Sequence, residues 1–159
     1  MKHLPKHLRQ RWRYLAVAVE GWPDAELSRG AFQRDLWYAA QNLLGDTGSA
    51  DADLTVYGFE FEDGRGHAVV RVRRGEVERG RAALACVTEI DGHPVGVRVT
   101  GVSGTVRACE ERYIQRPQVY RTTRQVALDG VDRQAVVRPP RVDARVGDGH
   151  VGATDLDCE

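Results

Sequence analysis

The sequence predicts an α+β sandwich, a sheet with helices packed on one face. Three observations carry this expectation. Apolar residues recur with period two in four short stretches. Helical spacing replaces that period after the first and third of them. Clusters of Gly, Pro and Asp punctuate the change-overs. The resulting order, β-α-β-β-α-β, is the split βαβ or ferredoxin-like arrangement. Its two crossovers put both helices on one sheet face and leave the other open.

The first strand is residues 12–19, WRYLAVAV. Leu15, Val17 and Val19 point one way and Trp12, Tyr14, Ala16 and Ala18 the other, which suits a central strand. Gly21, Pro23 and Asp24 then break the pattern and open a helix with Asp24 or Ser28 as N-cap and Gly45 as the C′ glycine. Its buried stripe is Phe32, Leu36, Ala39, Ala40, Leu43 and Leu44. A polar turn is expected over Asp46–Asp53. Leu54–Glu62 alternates, with Tyr57, Phe59 and Phe61 on one side, and Asp63-Gly64-Arg65-Gly66 turns it into a strand over His67–Arg74. There Val70 and Val72 share one face, and Arg71 and Arg73 the other. After Gly75, the positions Val77, Leu84, Val87 and Ile90 predict a second helix ending before Asp91-Gly92. The fourth strand is expected over Val95–Val102, with Arg98 outward. Ser103-Gly104-Thr105 caps a short third helix reaching about Tyr113. From Arg116 onward the pattern dissolves, with seven arginines and seven acids over residues 116–159. Val126–Leu128 and Ala135–Val137 suggest short strands, and about the last 20 residues read as disordered. The expected organisation is therefore a domain over residues 1–115 and a partly disordered C-terminal extension over residues 116–159.

Composition narrows the function classes. The chain has 159 residues, with 23 Lys+Arg against 23 Asp+Glu, and is 42% hydrophobic, enough for one core. The longest stretch free of charged residues, Leu36–Gly45, is about half of a membrane span. The basic N-terminus has no apolar signal region behind it, so a cytoplasmic protein is expected. Cys86, Cys109 and Cys158 share no CxxC spacing and read as buried free thiols. The zero net charge hides blocks. Residues 1–13 hold five basic residues and no acid, residues 46–63 six acids and no base, and residues 65–81 six arginines against Glu76 and Glu78. Such a layout gives one basic face suited to an anionic partner.

Catalytic constellations are scarce. His3 and His7 have the i,i+4 spacing of a metal pair, but Pro5 lies between them and no carboxylate is near. Glu60, Glu62 and Asp63 read as a solvated acidic face rather than a Mg²⁺ site. No serine has a GxSxG context, and no phosphate-binding loop is present. The basic face is better supported. The first and third strands are the central pair of this topology, so Tyr14, Arg71 and Arg73 share the open face. An aromatic for stacking then lies beside guanidiniums that fork onto phosphate. The competing reading pairs Arg71 and Arg73 with Glu60 and Glu62 across the hairpin. Arg98 and the arm residues Lys6, Arg9, Arg11 and Arg13 extend the strip, and the N–H groups of Ser103, Gly104 and Thr105 offer a further phosphate contact or an ordinary cap.

Leu4-Pro5, Leu8-Arg9, Arg13-Tyr14, the helix followed by Gly45, and above all Val99-Thr100-Gly101-Val102-Ser103-Gly104-Thr105-Val106-Arg107 resemble the archaeal ribonuclease P protein component 2 family. The Ser-Gly-Thr-aliphatic-Arg stretch, preceded by the helix carrying Arg81-Ala82-Ala83-Leu84, is the most specific part, and the resemblance covers about residues 1–115. It implies an RRM-like or ferredoxin-like subunit of the ribonucleoprotein endonuclease that removes the 5′ leader from precursor tRNA, with Arg107 joining the RNA-binding set. The RNA does the chemistry, so the protein contributes no catalytic residue and holds no cofactor, and the Mg²⁺ is used by the RNA. The implied partners are the ribonuclease P RNA, precursor tRNA and a second protein subunit with a TIM-barrel-like fold. The mixed-charge tail departs from the family's compact pattern. Two rivals stand beside this expectation: a ferredoxin-like regulatory module with a metabolite pocket at a dimer interface, and a small stand-alone enzyme. Retention on RNA at moderate salt argues against the first, and lack of turnover by the isolated chain against the second.

Overall fold

Strand β1 (Trp12–Gly21) runs through the middle of a five-stranded sheet because both of its faces are apolar. In this computed structural model, which describes residues 3–114, 122–154 and 156–158, the sheet order is β2-β3-β1-β5-β4. The strands are β2 (Thr55–Glu62), β3 (Arg65–Arg73), β4 (Glu89–Ile90) and β5 (His93–Ser103), and every pairing is antiparallel. The ferredoxin-like order is the one observed, with the first and third strands central.

Helices α1 (Arg29–Ala52) and α2 (Val77–Ala85) cover one face. Ser28 caps α1, its Oγ accepting from the Ala31 N–H at 3.2 Å. Leu15, Val17, Phe32, Leu36, Val56, Val70, Val72 and Leu84 form the centre of the core beneath them. Leu43, expected in the buried stripe, is half-exposed.

Four expectations need correction. Gly45 takes a positive φ of 70° as a C′ glycine does, but helix resumes at once across Asp46–Ala52, where a polar turn was expected. Gly48 and Ala52, one turn apart, are both buried, and Asp53 in the left-handed region ends the helix, its N–H bonding the Ser49 carbonyl. Helix α2 stops at Ala85 rather than before Asp91, because Ile90 belongs to a hairpin. Asp91 (φ 51°) and Gly92 (φ 79°) supply the doubly positive turn that a two-residue loop requires.

The third correction concerns the open face. Helix α3 (Val106–Tyr113) lies on it, burying Cys109 against Ala16 and Val69 and packing Tyr14, Val106, Tyr113 and Ile114 around them. Beside the helix the face stays accessible, with Tyr57, Glu60 and Arg98 exposed on it. Burial pushes the Cys109 thiol up to about 11 from 9.0, helped by the Glu110 charge. The folded state therefore holds this proton more tightly than the unfolded chain. Its contribution to stability is present below about pH 9 and lost as pH rises towards 11. Thermal unfolding between pH 8 and 10.5 is expected to show a fall that Cys109→Ala reduces. The other thiols are not buried in this way, Cys86 being exposed and Cys158 partly exposed.

The fourth correction concerns the extension. Where the sequence suggested two short strands and a disordered end, β6 (Thr122–Leu128), β7 (Val131–Arg138), β8 (Arg141–Val146) and β9 (Gly149–Thr154) form a four-stranded antiparallel meander. Small apolar residues line one face, Val126, Ala135, Val137, Val142 and Ala144, with Cys158 packed against them. Alanines and valines in strands this short give a weak periodic signal, which the interspersed charges mask. The expected boundary between residues 115 and 116 lies outside the described residues.

The meander docks on the core through its other face. Arg138 donates from Nε and Nη2 to Asp143 Oδ2 at 3.0 and 2.5 Å, from Nη1 to the Asp63 carbonyl at 3.2 Å, and from Nη2 to the Gly21 carbonyl at 3.4 Å. Arg141 pairs with Glu20, and His150 stacks on Trp22 with Nδ1 3.4 Å from Asp24.

Candidate nucleic-acid interface

The register of the central strands decides which predicted residues meet. Trp12 opposes Arg73, Tyr14 opposes Arg71, and the Arg74 N–H bonds the Arg11 carbonyl, so the start of β1 and the end of β3 form one cationic end. Across the other neighbour Tyr14 opposes Ser103, and Arg13 Nη1 lies against Gly104. Arg11, Arg13, Tyr14, Arg71, Arg73, Ser103 and Gly104 are thus brought together. Arg74, which the sequence reading passed over, joins them.

The side chains at this end interlock. The Arg71 guanidinium carbon stands 3.8 Å from the Trp12 ring centroid and 5.4 Å from that of Tyr57. Its Nη1 donates to Tyr57 Oη at 3.1 Å and its Nη2 to Thr55 Oγ1 at 3.3 Å. Tyr14 and Tyr57 meet edge to face at 6.0 Å. Cation–π contact of this kind contributes about 0.5–2 kcal/mol and holds the guanidinium in plane. Among the described residues, Arg73 has one weak ion pair, 3.7 Å to Asp53. Among the described residues, Nε of both Arg71 and Arg73 is buried without a hydrogen-bond partner.

Tyr57 reaches this cluster through a register shift. The β2–β3 pairing passes from Val56↔Val70 to Gly58↔Val69, and this bulge turns Tyr57 away from Phe59 and Phe61. Phe59 packs on Phe32 beneath the helices, whereas Tyr57 is half-exposed on the opposite face. Simple alternation had put all three on one side. Gly58, directly after Tyr57, was the available sign of a bulge.

The remaining predicted residues fall elsewhere. Lys6 is exposed in a short 3-10 turn, and Arg9 Nε donates to the Leu4 carbonyl at 2.9 Å. Arg98 opposes Ala18, four residues along β1 from Tyr14, or roughly 13 Å at strand rise. It lines a groove of about 670 Å³ with Glu20, Glu60, Glu62, His67 and Tyr113, on the far side of α3. Arg107 pairs with Glu111 at 2.6 Å. The Thr105 hydroxyl accepts from the Ala108 N–H and acts as the ordinary cap of α3. The competing ion pairs across the hairpin do not form: Glu60 opposes His67, Glu62 opposes Arg65, and Arg71 opposes Thr55.

The Val99–Arg107 segment has its own structural reason. β5 bulges opposite Ala16, Thr100 Oγ1 donates to the Ala16 carbonyl at 3.3 Å, and the Tyr113 ring lies directly on Gly101. A Cβ at Gly101 would overlap that ring, so α3 sits where it does only over glycine. Gly101→Ala is expected to cost about 1–3 kcal/mol as α3 shifts, and to raise the alkylation rate of Cys109. Urea unfolding and thiol labelling check both effects.

Fold and surface together define a ferredoxin-like α+β sandwich with a cationic, aromatic end on its sheet face. The chain belongs to the Rpp14/Pop5 family, whose model matches residues 13–114. It is 63% identical over 157 residues to ribonuclease P protein component 2 of Natronomonas pharaonis, covering 99% of this chain and 98% of that protein. The protein of the same name from Halorubrum lacusprofundi is 60% identical, with both chains covered completely. That of Methanosarcina mazei is 35% identical over 120 residues, 76% of this chain but 98% of its own length. The resemblance read from the sequence therefore holds.

Proposed function

We propose that the chain is an RNA-binding protein subunit of ribonuclease P, which assists the catalytic RNA in removing the 5′ leader from precursor tRNA. The observation that carries this reading is the convergence of Arg11, Arg13, Arg71, Arg73 and Arg74 on one end of the sheet beside Trp12, Tyr14 and Tyr57. Guanidiniums there neutralise phosphates, which lets a folded RNA pack closely and bind its own Mg²⁺ and substrate productively. The protein supplies no catalytic residue and no cofactor. The relatives, each a ribonuclease P protein component 2, support the assignment to ribonuclease P. A second protein subunit, of TIM-barrel-like fold, completes the proposed assembly. No described helix is long and apolar enough to cross a membrane.

The test is recovery of the tagged full chain from its native cell with sequencing of the bound RNA. One dominant structured RNA that cleaves precursor tRNA is expected. Recovery without any enriched RNA overturns the reading.

A further inference from the structure

We propose that the Trp12–Arg71–Tyr57–Tyr14 cluster takes an unpaired nucleobase, stacked on Tyr57, so that the RNA presents a single-stranded nucleotide to this end of the sheet. The inference rests on the RNA-binding reading and adds the class of nucleotide recognised. Tyr57 sits where the fold offers it a core position beside Phe59 and Phe61, yet the bulge places it on the outer face, where it stays 48% exposed. A half-exposed tyrosine gains less from burial there than in the core, but it presents a ring face to a partner. Its orientation is fixed from two sides. Its hydroxyl accepts from Arg71 at 3.1 Å, and the Tyr14 ring braces it edge-on. Arg71 is in turn held over Trp12 and by Thr55, so the platform is organised before any ligand arrives.

The chemistry of the cluster favours a base over a duplex. Aromatic rings flanked by guanidiniums bind nucleotides by stacking plus charge, and the stacking part needs a base out of its own stack. Arg73, Arg74 and Arg11 border the rings and take the phosphates on either side of the splayed nucleotide. An A-form helix offers no exposed base face to such a surface.

Stacking and charge respond differently to salt, which gives the test. Binding of the full chain is measured by fluorescence anisotropy on an unstructured labelled oligoribonucleotide and on a blunt RNA duplex, across a salt series. Tyr57→Ala and Tyr57→Leu are expected to weaken single-strand binding by about 5- to 100-fold while leaving the log–log salt slope unchanged. Tyr57→Trp retains most of the affinity, and duplex binding falls far less than single-strand binding in all three, because Arg71 keeps its contacts to Trp12 and Thr55. Single-strand affinity that survives Tyr57→Leu, or an equal loss on the duplex, overturns the stacking proposal and leaves RNA binding standing. A wild-type chain that binds neither RNA overturns both.

Discussion

Replacing Arg138 by alanine is expected to destabilise the protein by about 3–5 kcal/mol, because it strands Asp143 as a buried, unpaired carboxylate. Both side chains of this pair are only 4–5% exposed, and the guanidinium is also the donor that ties the Asp63 and Gly21 carbonyls of the core to the meander. Removing it therefore deletes the partner of a buried charge and two tethers together. Urea unfolding followed by fluorescence reads the loss. Limited proteolysis reads its location, with cleavage rising within residues 122–154 while the core persists. The double substitution Arg138→Met with Asp143→Leu is expected to recover most of the stability, since an apolar pair of similar volume carries no desolvation cost. A loss below about 1 kcal/mol for Arg138→Ala shows that water reaches the pair.

The core was legible wherever a strand or helix shows a clean period. β1 with two apolar faces, the Phe32/Leu36/Ala40 stripe and the Val70/Val72 alternation each read correctly. What failed to read were features set by single residues or by packing across the sheet. Asp-Gly forms the turn at 63–64, 91–92 and 129–130, with positive φ at both residues each time, whereas the Asp-Gly at 148–149 has it at neither and the β8–β9 turn rests on Gly147 instead (φ 61°). The first was read as a hairpin, and the same dipeptide marks the β4–β5 and β6–β7 turns that were missed. The position of α3 is a tertiary choice. Nothing local says that Cys109 packs on Ala16 and Val69, and only the small residues Ala16 and Gly101 hint that something lies close over β1 and β5.

The candidate site divides in the same way. Arg71, Arg73 and Tyr14 were found because alternation along one strand fixes their face. Tyr57 was placed on the wrong face because a bulge breaks alternation without changing composition. Arg98 shares the face with them but not the site, since α3 and an acidic groove separate it from the cationic end. Strand period gives the side of a residue, whereas its position along the sheet needs the register.

Register also decides which arginines should matter most for RNA affinity. The double substitution of Arg71 and Arg73 by glutamine is expected to lower affinity by on the order of a hundredfold, two charge-assisted contacts at ~1.5 kcal/mol each. The salt slope flattens by about 0.7 per lost contact on single strands and about 0.9 on duplex. Lysine at both positions keeps the slope, because the charge remains, yet loses affinity, because the ammonium cannot reproduce the fork that Tyr57 and Thr55 orient. Asp53→Asn is expected to strengthen binding, since it frees Arg73 from this carboxylate neighbour. Arg107→Gln has little effect, because that guanidinium already pairs with Glu111. Arg98→Gln likewise changes little, with Glu20, Glu60 and Glu62 around its groove opposing any phosphate. Titrations of these variants at several salt concentrations decide the matter. Equal losses for Arg98 and for the Arg71/Arg73 pair locate the RNA along the whole sheet face, and an unchanged slope in the double variant removes the cationic end from the interface.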